Sequence, residues 1–365
     1  MRILILGAGG FIGSHMVEHL VRRGEHSVVA VDVSDDKLTG IDRRGFTFRF
    51  ADIRTDGALI DTLVAETDLV VDLIAYANPS MYVTSPLEVF ELNFMQNLEI
   101  AKRCSRHGRR LIQYSSAEIY GKAAPGAEAC GETDTDSVFG PVHRQRWIYA
   151  TGKLLLERVL YAMGNEGELE YTIVRPFNFL GPRIDYLVDA HSTGGPRVFP
   201  HFMSALLTGG PIRLVNGGLV RRSFLNIADA NDAFQVLLDH PDATRNEIFN
   251  MGNPLNNITI REFAGLMLEI YEELTGSAAV SAIEEMSGEE FYGPGYEDGD
   301  RLPPAVGKLA SLGWVPRYDL RTTLVHTMRY YLDAYGADAQ AATVRPVEVT
   351  RGITRAASWL SGAAH

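Results

Sequence analysis

The chain has 365 residues, 46% of them apolar and 22% charged, with a formal net charge of −12. This is the composition of a soluble globular protein with one large or two ordinary domains. The acidic balance disfavours non-specific binding to nucleic acid, and no apolar run approaches the about 20 residues needed to span a membrane.

The first segment, "RILILG", reads as a short buried strand that stops at glycines. "FIGSHMVEHLVRRG" follows with apolar residues at helical spacing and ends at Gly24. "SVVAVDV" and "FTFRFADI" read as the second and third strands, and "LVVDLIAYA" as a strand buried on both faces. "LEVFELNFMQNLEIAKRCSRHG" reads as one long helix, "RRLIQYSS" as a strand, "YATGKLLLERVLYAMG" as a helix and "EYTIVRPFN" as a strand. This alternation predicts an α/β fold with a doubly wound parallel sheet. After Phe177 the pattern loosens, with glycine and proline clustered in "GPRIDYLVDAHSTGGPRVFP" and "FYGPGYEDGDRLPP", as in ligand-binding loops. The expected division is a Rossmann-type dinucleotide domain over 1–176, with segments near 225–255 returning to it. A smaller α/β substrate domain covers 177–335, and 336–365 is a tail with no assigned function.

"GAGGFIG" places Gly7, Gly10 and Gly13 between the first strand and its helix. Glycines there allow a tight turn and close approach of a pyrophosphate to the positive end of the helix dipole. Phe11 and Ile12, inside the motif, belong to the same expected cofactor site. Asp32 ends the second strand, nineteen residues after Gly13. An acid there accepts hydrogen bonds from the adenosine ribose and repels a 2′-phosphate, so NAD is expected rather than NADP. Asp52 and Ile53, after the third strand, are candidate adenine contacts.

"YATGK" sets Tyr149 and Lys153 four residues apart on one helix face. A tyrosine titrates near 10 by itself; a neighbouring ammonium and a positive nicotinamide lower that value. The phenolate can then take a proton from a sugar hydroxyl as hydride departs. Ser116, at the end of "RRLIQYSS", is the candidate to share that hydroxyl.

"GAGGFIG", "SSAEIYG" and "YATGK" together resemble the extended short-chain dehydrogenase/reductase family that modifies nucleotide sugars. "TIVRPFNFLGPRID", "GGPRVFPHF" and "EEFYGPGYEDGDR" narrow the resemblance to UDP-glucuronate decarboxylases, including the plant UDP-apiose/UDP-xylose synthases. The resemblance implies an NAD-dependent enzyme that oxidises C4 of UDP-glucuronate to a ketone, loses carbon dioxide and reprotonates C5. It implies Tyr149, Lys153 and Ser116 for the redox steps. Glu118 and Arg301 would serve decarboxylation and C5 protonation, Glu118 by moving a proton or by positioning a water. Arg146 would contact the acid or the keto-sugar. Asn178, Arg197, Arg213, Arg222 and Tyr292 would grip the nucleotide. It also implies a homodimer in which the long helices after strands four and five form a four-helix bundle.

Two positions depart from that pattern. The apiose/xylose synthases are similar here except for cysteines where this chain has Ala77 and Ala117, so ring contraction to apiose is not expected. The dehydratase acid is missing at 117 as well. A C4 epimerase or dehydratase acting on another nucleotide sugar is the enzymatic alternative, and an NAD-sensing protein the non-enzymatic one. The two cysteines present, Cys104 and Cys130, match neither place; so few predict a reducing, cytoplasmic setting without disulfides. His191 and His201 lack companion ligand spacing, so no metal site is expected.

Overall fold

A computed structural model describes residues 1–188, 197–299 and 301–335; His191 and the tail 336–365 lie outside the described residues. The chain runs β1 (Arg2–Leu6), α1 (Phe11–Arg23), β2 (Ser27–Asp32), β3 (Phe46–Phe50), α2 (Gly57–Ala65) and β4 (Leu69–Asp72). Then come α3 (Pro79–Thr84), α4 (Pro86–Phe90), α5 (Asn97–Arg106), β5 (Arg110–Tyr114), α6 (Ile148–Asn165) and β6 (Tyr171–Pro176). The remainder comprises β7 (Asn178–Leu180), α7 (Val198–Thr208), β8 (Ile212–Val215), β9 (Arg221–Asn226), α8 (Ile227–Asp239) and β10 (Glu247–Met251). It closes with β11 (Asn257–Thr259), α9 (Ile260–Thr275), β12 (Ile283–Met286), α10 (Gly288–Tyr292), α11 (Gly307–Ser311) and α12 (Leu320–Tyr335).

Seven strands form one parallel sheet in the order β10-β6-β5-β4-β1-β2-β3. Alternate residues of β1 feed opposite faces, as strand geometry requires. Ile3 and Ile5 pack with Met16 and Val17 of α1 and Phe234 of α8. Leu4 and Leu6 pack with Ile60 of α2, Ile100 of α5 and Leu160 of α6. Each such fully buried side chain stabilises the fold by about 1.5–3 kcal/mol. The strand order reverses between β1 and β4, and a crevice above the carboxyl ends of the strands is the expected ligand site of such a sheet. Strand β10, late in sequence, returns to pair with β6. Strands β11, β9 and β7 make a second small sheet, and β12 pairs with β8 in a third.

Two of the predicted elements differ from their sequence reading. The strand read over "LVVDLIAYA" ends at Asp72, and the next residues leave the sheet as a loop. The long helix expected after it is interrupted by a π turn at Glu91–Gln96. The cause is shared. The Asn93 amide bonds both the N–H (2.8 Å) and the carbonyl (3.1 Å) of Tyr76, and Asn97 donates to the Ile74 carbonyl at 3.0 Å. The widened turn puts both asparagines on the departing loop, a use typical of π bulges near functional sites. Among the described residues no helix is long and apolar enough to cross a membrane.

Candidate active site

The turn after β1 is shaped by backbone contact. Gly7 has φ +84°, and a Cβ on Gly13 would sit 2.2 Å from the Gly7 carbonyl oxygen, so α1 can lie this close only with glycine there. Gly10 caps α1 without a side-chain hydrogen bond, so the N–H groups of the first helical turn have no cap side chain and suit a pyrophosphate. A Cβ on Gly9 would lie 2.0 Å from the Ser34 carbonyl oxygen, and the Gly9 N–H donates to Asp32 Oδ2 at 2.8 Å. Asp32 Oδ1 accepts from Val33 (2.6 Å) and Ser34 (3.3 Å). Burial raises the Asp32 carboxyl, with these three bonds opposing. A glycine cradle beside a carboxylate at the end of β2 fits an NAD dinucleotide. Phe11 is buried in the core beneath the turn, and Ile12 packs against it. Ile53 is buried; the Asp52 carboxylate is forked by Arg54, at 2.6 Å for Nη2 to Oδ2.

Beyond β5 the chain turns through Ser115–Ser116 into a short 3-10 turn, Ala117–Tyr120. Ser116 Oγ accepts from the Glu118 N–H at 3.1 Å and is hydrogen-bonded to the Tyr149 hydroxyl. Tyr149 stands on the first turn of α6, with its ring stacked on Tyr82 of α3. Burial pushes Tyr149 up to about 12, and Glu118 adds to this; the Ser116 hydrogen bond, Arg197 and Arg146 pull the other way. Lys153, one turn on and fully buried, donates to the Tyr114 carbonyl at 3.0 Å. Burial draws its ammonium down to about 8, against the opposing charges of Asp72 and Glu157.

Glu118 answers to two arginines from distant parts of the chain. Its Oε2 accepts from Arg146 Nη1 at 2.5 Å and from Arg301 Nη2 at 2.6 Å. Its side chain is 24% exposed and lines a cleft of about 980 Å³, open mouth included. Burial alone would raise this carboxyl; the two guanidinium groups reverse that and hold it well below the usual carboxylate range. Arg222, beside them, pairs with Asp298 and donates to the Gly299 carbonyl at 3.1 Å. These five groups are electrostatically coupled: among the described residues, three guanidinium groups less two carboxylates leave one net positive charge. The Nε atoms of Arg146 and Arg301 are buried without a hydrogen-bond partner among the described residues.

The loop that delivers Arg301 is stitched to the first half of the chain. Cys130 N–H donates to Pro303 at 2.8 Å, and Ala305 N–H donates to Cys130 at 2.9 Å. The Cys130 side chain packs with Ala117 and Phe177. Burial pushes its thiol up to about 11, so it is a packing group at neutral pH.

Asn178, Arg197, Arg213, Arg222 and Tyr292 line the same cleft as Glu118 and Arg146. Asn178 donates to the Ser223 carbonyl at 2.9 Å. Arg197 forks Asp185 at 2.9 and 3.1 Å and lies over the Phe11 ring, between the cleft and the glycine turn. Arg213 of β8 faces Glu284 of β12 at 3.7 Å. Tyr292 stacks on Tyr296, with ring centroids 4.3 Å apart. Ser116, Tyr149 and Arg301 are not among the residues lining this cleft; Ser116 meets the Glu118 N–H, Arg301 meets the Glu118 carboxylate, and Tyr149 joins through Ser116. Sequence reasoning missed Gly9, Tyr82 and the pairing of Asp298 with Arg222. The available signal for Tyr82 was Asn78-Pro79, an N-cap followed by proline at a helix start.

The model of the "NAD dependent epimerase/dehydratase family" matches residues 3–252. The chain belongs to this family. As a member it is an NAD-dependent enzyme of the extended short-chain dehydrogenase type, and the glycine turn with Asp32 suits that cofactor. This epimerase/dehydratase is 38% identical over 371 residues to UDP-D-apiose/UDP-D-xylose synthase 1 of Arabidopsis thaliana, covering 95% of each chain. Its fold is similar to that of the PbgP3 protein from Burkholderia pseudomallei, with TM-score 0.81, 30% identity and coverage of 93% of this chain and 98% of that one. A structure of MoeE5 in complex with UDP-glucuronic acid and NAD shares the fold at TM-score 0.72 and 23% identity, covering 92% of this chain and 100% of that one.

Proposed function

We propose that this enzyme decarboxylates UDP-glucuronate through a transient 4-keto sugar. The observation that carries this reading is the net positive cluster of Arg146, Arg222 and Arg301 around Glu118, with two buried guanidinium N–H groups still to be satisfied. A buried cationic site with open donors suits a sugar carboxylate, which arginine forks can bind through both oxygens. The similarity to UDP-D-apiose/UDP-D-xylose synthases supports a UDP-sugar substrate. Residues 177–335 would hold the nucleotide through Asn178, Arg197, Arg213 and Tyr292.

NAD, when bound, accepts hydride from the sugar and can return it. The Tyr149 phenolate takes the proton of the C4 hydroxyl while Ser116 holds the same oxygen, and the Lys153 ammonium favours the phenolate. The ketone stands β to the C5 carboxylate, so the bonding electrons of the departing carbon dioxide pass into an enolate. Nearby guanidinium charge stabilises that enolate in a site with little water. Glu118 is held ionised by Arg146 and Arg301, so it orients the water that protonates C5, with the proton made good from solvent, instead of giving up a proton of its own. Ala77 and Ala117 supply no thiol, so the product is a UDP-pentose without ring contraction.

The test is mass spectrometry of products from UDP-glucuronate and NAD, with carbon dioxide measured in parallel. Release of carbon dioxide with a UDP-pentose is expected. An isomerised sugar that keeps its carboxylate would replace this reading with C4 epimerisation.

A homodimer is part of the proposal. Leu87 of α4, Met95 of the π turn and Leu155 of α6 are exposed apolar residues on the helices expected to pair. Sedimentation equilibrium should give twice the chain mass, and Leu155→Asp should halve it. A reducing cytoplasm is the proposed compartment, in keeping with two free, buried cysteines.

A further inference from the structure

Asp72 closes β4 at the carboxyl end of the sheet, between Leu6 of β1 and Gln113 of β5, and is fully buried. Its Oδ1 accepts from the Ile74 N–H at 3.0 Å, and the Gln113 side chain lies within hydrogen-bonding reach of the carboxylate; its Oδ2, also buried, makes no well-formed hydrogen bond among the described residues. A buried carboxylate with an open oxygen is costly unless a cation faces it. The cation near it is Lys153, from α6, which acts from beyond ion-pair distance: its ammonium donates to the Tyr114 carbonyl at 3.0 Å, and the Gln113 amide bridges the Tyr114 and Asp72 carbonyls at 3.4 Å each.

Among the described residues, the acids that act on Lys153 are Asp72 and Glu157. Glu157, one turn further along α6, is already engaged by Arg175, with contacts of 2.6, 3.1 and 3.2 Å. Its charge is therefore largely answered before it reaches the lysine. The other groups around the pair are uncharged at neutral pH. They are the Gln113 amide and Tyr114 carbonyl of β5 and the Cys104 thiol of α5, which burial keeps protonated; Tyr149 of α6 joins them until cofactor binding favours its phenolate. Asp72 is the acid left to balance the lysine.

We propose that Asp72 is the buried counter-charge of Lys153, a positioning residue that keeps the lysine an ammonium on the hidden side of the tyrosine–lysine pair. The inference rests on the reading of Tyr149 and Lys153 as the redox pair and adds to it the group that holds the pair in its working charge state. Burial raises the Asp72 carboxyl to about 6, with Lys153 opposing, and lowers the Lys153 ammonium to about 8. Between those values both are charged. Below them the carboxyl is neutral and the lysine loses its partner; above them the amine is neutral and the phenolate loses its support.

The experiment is an NMR titration of the NAD-bound enzyme, with carbon-13 in the lysine ε positions and the aspartate carboxyls. In Asp72→Asn the Lys153 midpoint should fall by at least one pH unit, about tenfold in proton affinity. The alkaline fall of NADH formation should move by the same amount. In Lys153→Met the Asp72 midpoint should rise by a similar amount, because coupling between two sites is reciprocal. The second variant decides the matter if the first does not fold. An unmoved Lys153 midpoint in folded Asp72→Asn, or an unmoved Asp72 midpoint in Lys153→Met, overturns the inference. The titrations need no sugar. Reciprocal shifts in an enzyme that releases no carbon dioxide would therefore uphold Asp72 and remove only the UDP-glucuronate reading.

Discussion

Tyr82 lies flat against Tyr149, with ring centroids 4.7 Å apart and planes 10° from parallel. The stack fixes the orientation of the candidate base. Such pairs contribute about 0.5–1.5 kcal/mol beyond their buried area. Tyr82→Ala should therefore cut kcat about tenfold at nearly unchanged NAD affinity, and Tyr82→Phe should stay within about twofold of the parent. Steady-state kinetics beside calorimetric NAD titration separates the two effects.

Glu118→Gln keeps the shape of the acid and removes its charge from between Arg146 and Arg301. Oxidation at C4 precedes any need for Glu118, so NADH should still form. Because each turnover must end in C5 protonation, steady-state carbon dioxide release should slow by about 10²–10⁴-fold, the range of a lost water-positioning group. Rapid-mixing absorbance and carbon dioxide capture, run on one sample, test whether the two steps part.

The pH profile should be steep on its alkaline side. Lys153 is a base whose proton affinity is lowered, so it is an ammonium below about 8 and loses its charge as pH rises through that value. Activity should fall there. On the acid side it should fall as the phenolate takes up a proton. Burial sets Tyr149 at about 12 without cofactor, and the positive nicotinamide should bring it down. Ultraviolet titration of the parent minus Tyr149→Phe, with and without NAD, should show the phenolate midpoint dropping on binding.

Gly9→Ala tests the turn after β1. The added methyl would meet the Ser34 carbonyl at 2.0 Å and push the turn off Asp32. Overpacking of this kind costs about 1–3 kcal/mol. A lower Tm and at least about tenfold weaker NAD binding are expected, read by calorimetry.

Local spacing made part of this site legible. Gly7, Gly10, Gly13 and Asp32 sit at the ends of adjacent elements, and Tyr149 with Lys153 share one helix face, so short-range periodicity finds them. The helix α2 was passed over although Ile60, Leu63 and Val64 repeat at helical spacing, because two strong strand patterns flank it. The break in the helix after β4 depends on Asn93 and Asn97 reaching back to Tyr76 and Ile74, a contact between elements that no propensity encodes. The pairing of Arg222 with Asp298 and the placing of Asp72 beside Lys153 are likewise products of topology. Resemblance supplied Glu118, Arg146 and Arg301 as a set; the geometry adds that both arginines meet one carboxylate oxygen.

The stitching of the Arg301 loop onto Cys130 has a temporal consequence. A ribosome that has delivered the chain as far as Met251 has already supplied the glycine turn, Tyr149 and all seven strands of the large sheet. The second half of the Glu118 clamp is still to be translated. The clamp on Glu118 is thus completed by one of the last segments to be translated, which meets the Cys130 loop only after every strand of the large sheet has been made.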